Sequence, residues 1–166
     1  MDKSFRVSFN SPQSGWMSLS LNTADESLVT AVACAPYDSL QDLMVGLRAL
    51  LSGAKTLRVK WNCEPDEMDF HVTLSAGDRV TFKVLHYRDH QRLARTKRIV
   101  FSMQSSRLEL CVPFWRALRD LHRNMATDEF DRNWRRPFPE SEMRQLTESL
   151  RSFKRGAKAQ PVNRAV

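Results

Sequence analysis

Glycine is scarce, with five in 166 residues, and none falls into a GxGxxG or GxxxxGK run. The chain therefore offers no phosphate cradle of the dinucleotide-binding or P-loop kind. Cysteine is scarcer still. Cys34, Cys63 and Cys111 are odd in number and widely spaced, which fits neither a disulfide framework nor a zinc ligand set. They read as small buried apolar residues in a reducing cytoplasm. No apolar run approaches the roughly 20 residues of a membrane span. The stretch Met1–Trp16 lacks the apolar core of a secretory signal, so the expected location is the cytoplasm. Internal repeats and low-complexity tracts are also missing.

The search for a nucleophile returns little. None of the three cysteines has a catalytic signature around it, and His86, His90 and His122 are scattered. Each histidine reads as a surface or packing residue. No catalytic residue, cofactor or metal is expected.

What is present is globular composition, with 42% apolar and 27% charged residues, enough for one domain with its own core. The net charge is +7, but Lys154, Arg155, Lys158 and Arg164 lie in a final stretch without acids. The expected division is a single α+β domain over residues 1–153 and a basic, disordered tail over 154–166. The body is then only mildly basic, as ordinary solubility demands.

Hydrophobic periodicity sets the architecture. Phe5–Phe9, Trp16–Asn22 and Ser27–Cys34 read as strands. Leu40, Leu43, Leu47 and Leu50/Leu51 recur on one helical face. Ser39 and Asp42 form a candidate capping box, Gly53 a C-terminal stop, and Gly46 a point of close approach to the sheet.

Thr56–Cys63 and Met68–Ser75 alternate cleanly around Glu64-Pro65-Asp66-Glu67. Pairing Cys63 with Met68 puts Trp61 opposite Phe70, Val59 opposite Val72 and Leu57 opposite Leu74. The next strand sets Leu74 against Val80, Val72 against Phe82 and Phe70 against Val84. The last sets Val84 against Ile99, Phe82 against Phe101 and Val80 against Met103. Helices follow over Val112–Met125 and Glu140–Phe153, with Pro139 suited to a first turn. The predicted fold is a mostly antiparallel sheet of six or seven strands. One helix is inserted after the third strand, and two C-terminal helices cover one face.

The densest chemistry lies in KWNCEPDEMDFH, Lys60–His71. Glu67, Asp69 and His71 share a strand face at two-residue spacing, about 6.6 Å per step, so two of them could hold a metal or work as acid and base. An enzyme with a site around Glu64, Asp69 and His71 is one reading. The other, which we favour, is a solvated turn, because Lys60 and Lys83 flank His71 and repel a dication. Arg58, Lys60, His71, Lys83 and Arg98 then form a cationic stripe on the polar sheet face, which reads either as a solvated face that blunts aggregation or as a surface for an acidic protein, a phosphate group or RNA. A second candidate is Phe130, Trp134 and Phe138 among Arg135 and Arg136. That segment is either a helical turn tucked against the sheet or an exposed aromatic–arginine anchor.

A strand opened by Gly15-Trp16, the helix in YDSLQDLMVGLRALLSG, the turn in VKWNCEP and the closing NWRRPFPESEMRQL together resemble a family of small, uncharacterised bacterial proteins with no assigned activity. The motifs are Trp61, Glu64, Pro65, Trp134, Phe138 and Pro139, and the likeness runs from Gly15 to Leu150. Some members are similar in size and style to immunity proteins that neutralise secreted toxins. The resemblance implies no catalytic residues. The expected function is non-enzymatic binding of another protein, with a nucleic acid as the alternative partner and a homodimer compatible with either.

Overall fold

The computed structural model describes residues 4–123 and 130–159. Seven strands, β1 (Arg6–Phe9), β2 (Trp16–Asn22), β3 (Ser27–Ala33), β4 (Thr56–Cys63), β5 (Asp66–Leu74), β6 (Arg79–Tyr87) and β7 (Arg98–Ser106), follow one another in space as in sequence. Every neighbouring pair is antiparallel. Helix α1 (Ser39–Leu51) is inserted after β3. Helices α2 (Arg107–Arg123), α3 (Phe130–Trp134) and α4 (Glu140–Ala159) follow β7. The class is α+β.

The sheet is continuous between β3 and β4 only through Ala33 and Asn62. Beyond that pairing β3 swings across to lie against β7, and the Glu26 carboxylate accepts the Ser102 backbone N–H at 2.7 Å. The two parts of the sheet thus enclose one core. Phe5, just ahead of β1, packs on Phe82, Phe101 and Phe114 at 6.0, 6.1 and 5.6 Å between ring centroids. Phe70 links this group to Trp61 at 5.3 Å. Helix α1 packs on β4 and α4, and α2 packs on β1. All three turn leucines and phenylalanines inward (Leu43, Leu47, Leu118, Phe114, Leu146, Leu150), which buries the apolar face of the sheet.

Strand parity follows the expected alternation, but two registers differ. Cys63 pairs with Asp66 rather than Met68, so Trp61 faces Met68, Val59 faces Phe70 and Leu57 faces Val72. The connection is a two-residue turn, Glu64 and Pro65, instead of four residues. A slip of two keeps every side chain on its own face, so alternation cannot distinguish the registers and the turn decides. On the last pair, Val84 meets Phe101 while Leu85 meets Ile99. Val100 is left as the extra residue of a β-bulge, and Ile99 is exposed. The β5–β6 register is the expected one.

The helices also depart in detail. Asp38 occupies the N-cap of α1 without a side-chain cap. The Ser39 hydroxyl, expected in a capping box, is buried and donates instead to the Lys60 carbonyl at 2.5 Å. Helix α2 begins at Arg107, five residues before its expected start, with Pro113 inside it. Helix α4 runs to Ala159, so Lys154–Ala159 of the expected disordered tail are helical. Residues 160–166 lie outside the described residues.

Gly46 is where α1 meets the sheet. A Cβ built there would stand 2.6 Å from Leu57 Cδ1 and 2.7 Å from Leu57 Cγ. Gly46→Ala is therefore expected to destabilise the fold by about 1–3 kcal/mol despite the better helix propensity of alanine. Urea unfolding with a shifted midpoint and unchanged slope checks this.

Candidate functional site

The polar sheet face is built by the residues of β4, β5 and β6 that point away from the helices. Register brings Asn62, Glu67 and Tyr87 into one row, Lys60, Asp69 and Leu85 into the next, and Arg58, His71 and Lys83 into a third. Of the four acids of the Lys60–His71 stretch, Glu64 is exposed at the turn and Asp66 half-buried, but Glu67 and Asp69 are not solvated. Asp69 is 0% exposed and Glu67 4%, because the connection between β6 and β7 folds back over them.

Arg92, in that connection, reaches both acids. Its Nε donates to Asp69 Oδ1 at 2.9 Å and its Nη2 to Glu67 Oε2 at 2.5 Å, while Nη1 donates to the Tyr37 hydroxyl at 2.8 Å. The guanidinium lies over the rings of Tyr37 and Tyr87, at 5.1 and 6.0 Å from their centroids. Arg58 takes the other oxygen of Asp69, donating from Nε and Nη2 at 2.9 and 2.5 Å. Burial works against the Arg92 cation. The Tyr37 hydroxyl and the two carboxylates outweigh it, and hold the guanidinium protonated beyond its ordinary range. A fork with several planar donors suits this arrangement, where an ammonium would satisfy only part of it.

The predicted site residues fall into three groups. Arg58, Lys60, His71 and Lys83 share the polar face as expected, with His71 between Arg58 and Lys83 rather than Lys60 and Lys83. Arg98 does not join them. The bulge sets it opposite His86, in the row of Trp61 and Met68, and Ser102 takes the place beside Lys83. Glu64 is exposed at the turn, Asp69 is held by two arginines, and His71 faces two cations, so the three do not converge on one point. Among the described residues no three His, Cys, Asp or Glu side chains group as a metal-ion ligand set.

The aromatic–arginine segment is core, as the tucked reading had it. Phe130 and Trp134 are 5% and 1% exposed, so they present no anchor. Arg136 donates to the Cys34 carbonyl at 2.6 Å and the Pro36 carbonyl at 3.1 Å, tying this segment to the connection that carries Tyr37. Arg135 is exposed, in the left-handed region at φ 62°. Burial pushes the Cys63 thiol up to about 11 and the Cys111 thiol to about 12, leaving both as neutral thiols near pH 7.

Tyr37, Tyr87 and Arg92 are the members that sequence reasoning missed. The available signal was the basic connection RDHQRLAR following two strand carboxylates. Nothing local says which of its arginines turns inward.

The fold and this face define an α+β protein whose polar sheet surface is rimmed by cations around a locked acidic centre. No protein-family model matches the chain, no curated protein matches it, and no solved structure matches it. Among the described residues, no helix is long and apolar enough to cross a membrane.

Proposed function

We propose that the protein is a binding module that engages the acidic surface of another protein through its polar sheet face, without performing chemistry there. One observation carries this reading. Glu67 and Asp69, the carboxylates best placed for acid–base work, are committed to Arg92 and Arg58 and withdrawn from solvent. Lys60 and Lys83 remain around them on a rigid strand scaffold, a positive rim suited to an acidic partner. An immunity-protein-like role, in which the partner is a toxin, is one form of this function. The cationic sheet face together with Lys154, Arg155 and Lys158 near the C-terminal end supports a nucleic acid as the second reading, with phosphates taking the place of carboxylates.

Affinity capture from native lysate, with and without nuclease, separates the two. A protein partner is expected to survive nuclease, and its capture to fall about tenfold with Lys60→Gln/Lys83→Gln, which removes two rim charges and one cation contact to the Tyr37 ring. Capture abolished by nuclease and steeply salt-dependent would transfer the function to nucleic acid. Undiminished capture by the double variant would remove this face from the account.

A further inference from the structure

A second group of cations lies away from the sheet, and two of them, Arg144 and Arg151, are exposed. Helices α2 and α4 bury their apolar stripes against the core and leave between them an outward groove of about 510 Å³. Its floor is Trp115, Met143 and Thr147, and its rim carries Arg119, Arg144 and Arg151. The Trp115 indole N–H donates to Thr147 Oγ1 at 2.9 Å, and that hydroxyl donates to the Met143 carbonyl at 2.8 Å. The polar atoms of the floor are thus satisfied internally and leave an apolar ring surface. The Arg119 guanidinium stands over that ring at 5.0 Å and is held there by Asp120 at 2.9 Å, so the cations open to a partner are Arg144 and Arg151. Arg144 and Arg151 are exposed and, among the described residues, have no carboxylate within ion-pair distance.

We infer that this groove is a docking site for an acidic amphipathic helix of a partner protein. An apolar stripe would rest on Trp115 and Met143, with flanking carboxylates taken by the arginines. One feature favours a helix over a nucleic-acid backbone. Glu140 and Glu148 line the same groove. A phosphate chain is negative at every step and would meet them, whereas a helix can place a neutral or basic residue opposite each. The rim cations are arginines, whose planar forks bind carboxylates, as they do phosphates, in pairs while resting on aromatic rings. An apolar floor between two helices, rimmed by charge, is the geometry of helix-in-groove recognition. This site is separate from the sheet face, and either can hold if the other fails.

The test uses the full chain and an alanine-based peptide with leucines along one helical side and glutamates flanking them. A peptide of the same composition in scrambled order and a duplex DNA oligomer serve as controls. The amphipathic peptide is expected to bind and to shift the Trp115 indole N–H resonance. Arg144→Glu/Arg151→Glu, at two exposed positions, is expected to weaken it by about tenfold or more, while Lys60→Gln/Lys83→Gln leaves it unchanged. The inference is overturned if the scrambled peptide binds equally well. It is also overturned if the arginine pair can be reversed without loss, or if only the DNA depends on that pair.

Discussion

Arg92→Ala is expected to lower folding stability by about 3–5 kcal/mol, the usual cost of removing one partner from a buried ion pair. Glu67, at 5% side-chain exposure, loses the one side chain that pairs with it among the described residues, and the Tyr37 hydroxyl loses its donor. Asp69 keeps Arg58, which is why the loss should stay within that range. Arg92→Lys is expected to recover only part of it. One ammonium cannot meet Asp69, Glu67 and Tyr37 in the geometry a guanidinium spans. Urea unfolding of the three proteins at neutral pH reads the difference directly. Arg92→Ala as stable as the parent would mean that the connection between β6 and β7 is an ornament on the sheet rather than its cover.

Trp134→Ala is the second large effect, expected at about 3–5 kcal/mol for the deletion of a buried aromatic. Trp134 is 1% exposed, in a short helix tied to the β2 entrance by a 2.6 Å hydrogen bond from the Gly15 N–H to the Asn133 carbonyl. Its exposed neighbour offers the contrast. Arg135→Ala is expected to stay within about 0.5 kcal/mol of the parent. Were the segment an exposed anchor, the order would reverse for binding and both changes would be mild for stability.

The legible and illegible parts of this molecule divide along a physical line. Side-chain parity was readable from β4 to β6, because an apolar residue in every second position leaves one face to bury, and Trp61, Phe70 and Phe82 all lie where that alternation puts them. Gly46 was readable because a helical glycine among leucines has few reasons to be there except a close neighbour. Register was less readable. Cys63 opposite Met68 and Cys63 opposite Asp66 satisfy parity equally, and the bulge at Val100 has no signature in composition. The centre of the polar face was hidden altogether. Glu67 and Asp69 read as solvated acids because their partner lies more than twenty residues away, in a connection whose conformation alternation does not reach.

That centre also determines what the face can do. Carboxylates held by arginines accept neither a substrate nor a metal without first releasing their partners. They do make a stiff platform, and on the proposed reading Lys60 and Lys83 at its rim would meet an acidic surface with little ordering cost.

The coupling between Arg92 and Glu67 tests this most directly. In a double-mutant cycle of Arg92→Ala and Glu67→Gln, followed by urea unfolding, the two changes should fall short of additivity by at least about 1.5 kcal/mol, as for close charge pairs removed from water. Stabilities that add to within about 0.5 kcal/mol would show two independent solvated groups, and would return the acidic stretch to the plain turn its sequence suggests.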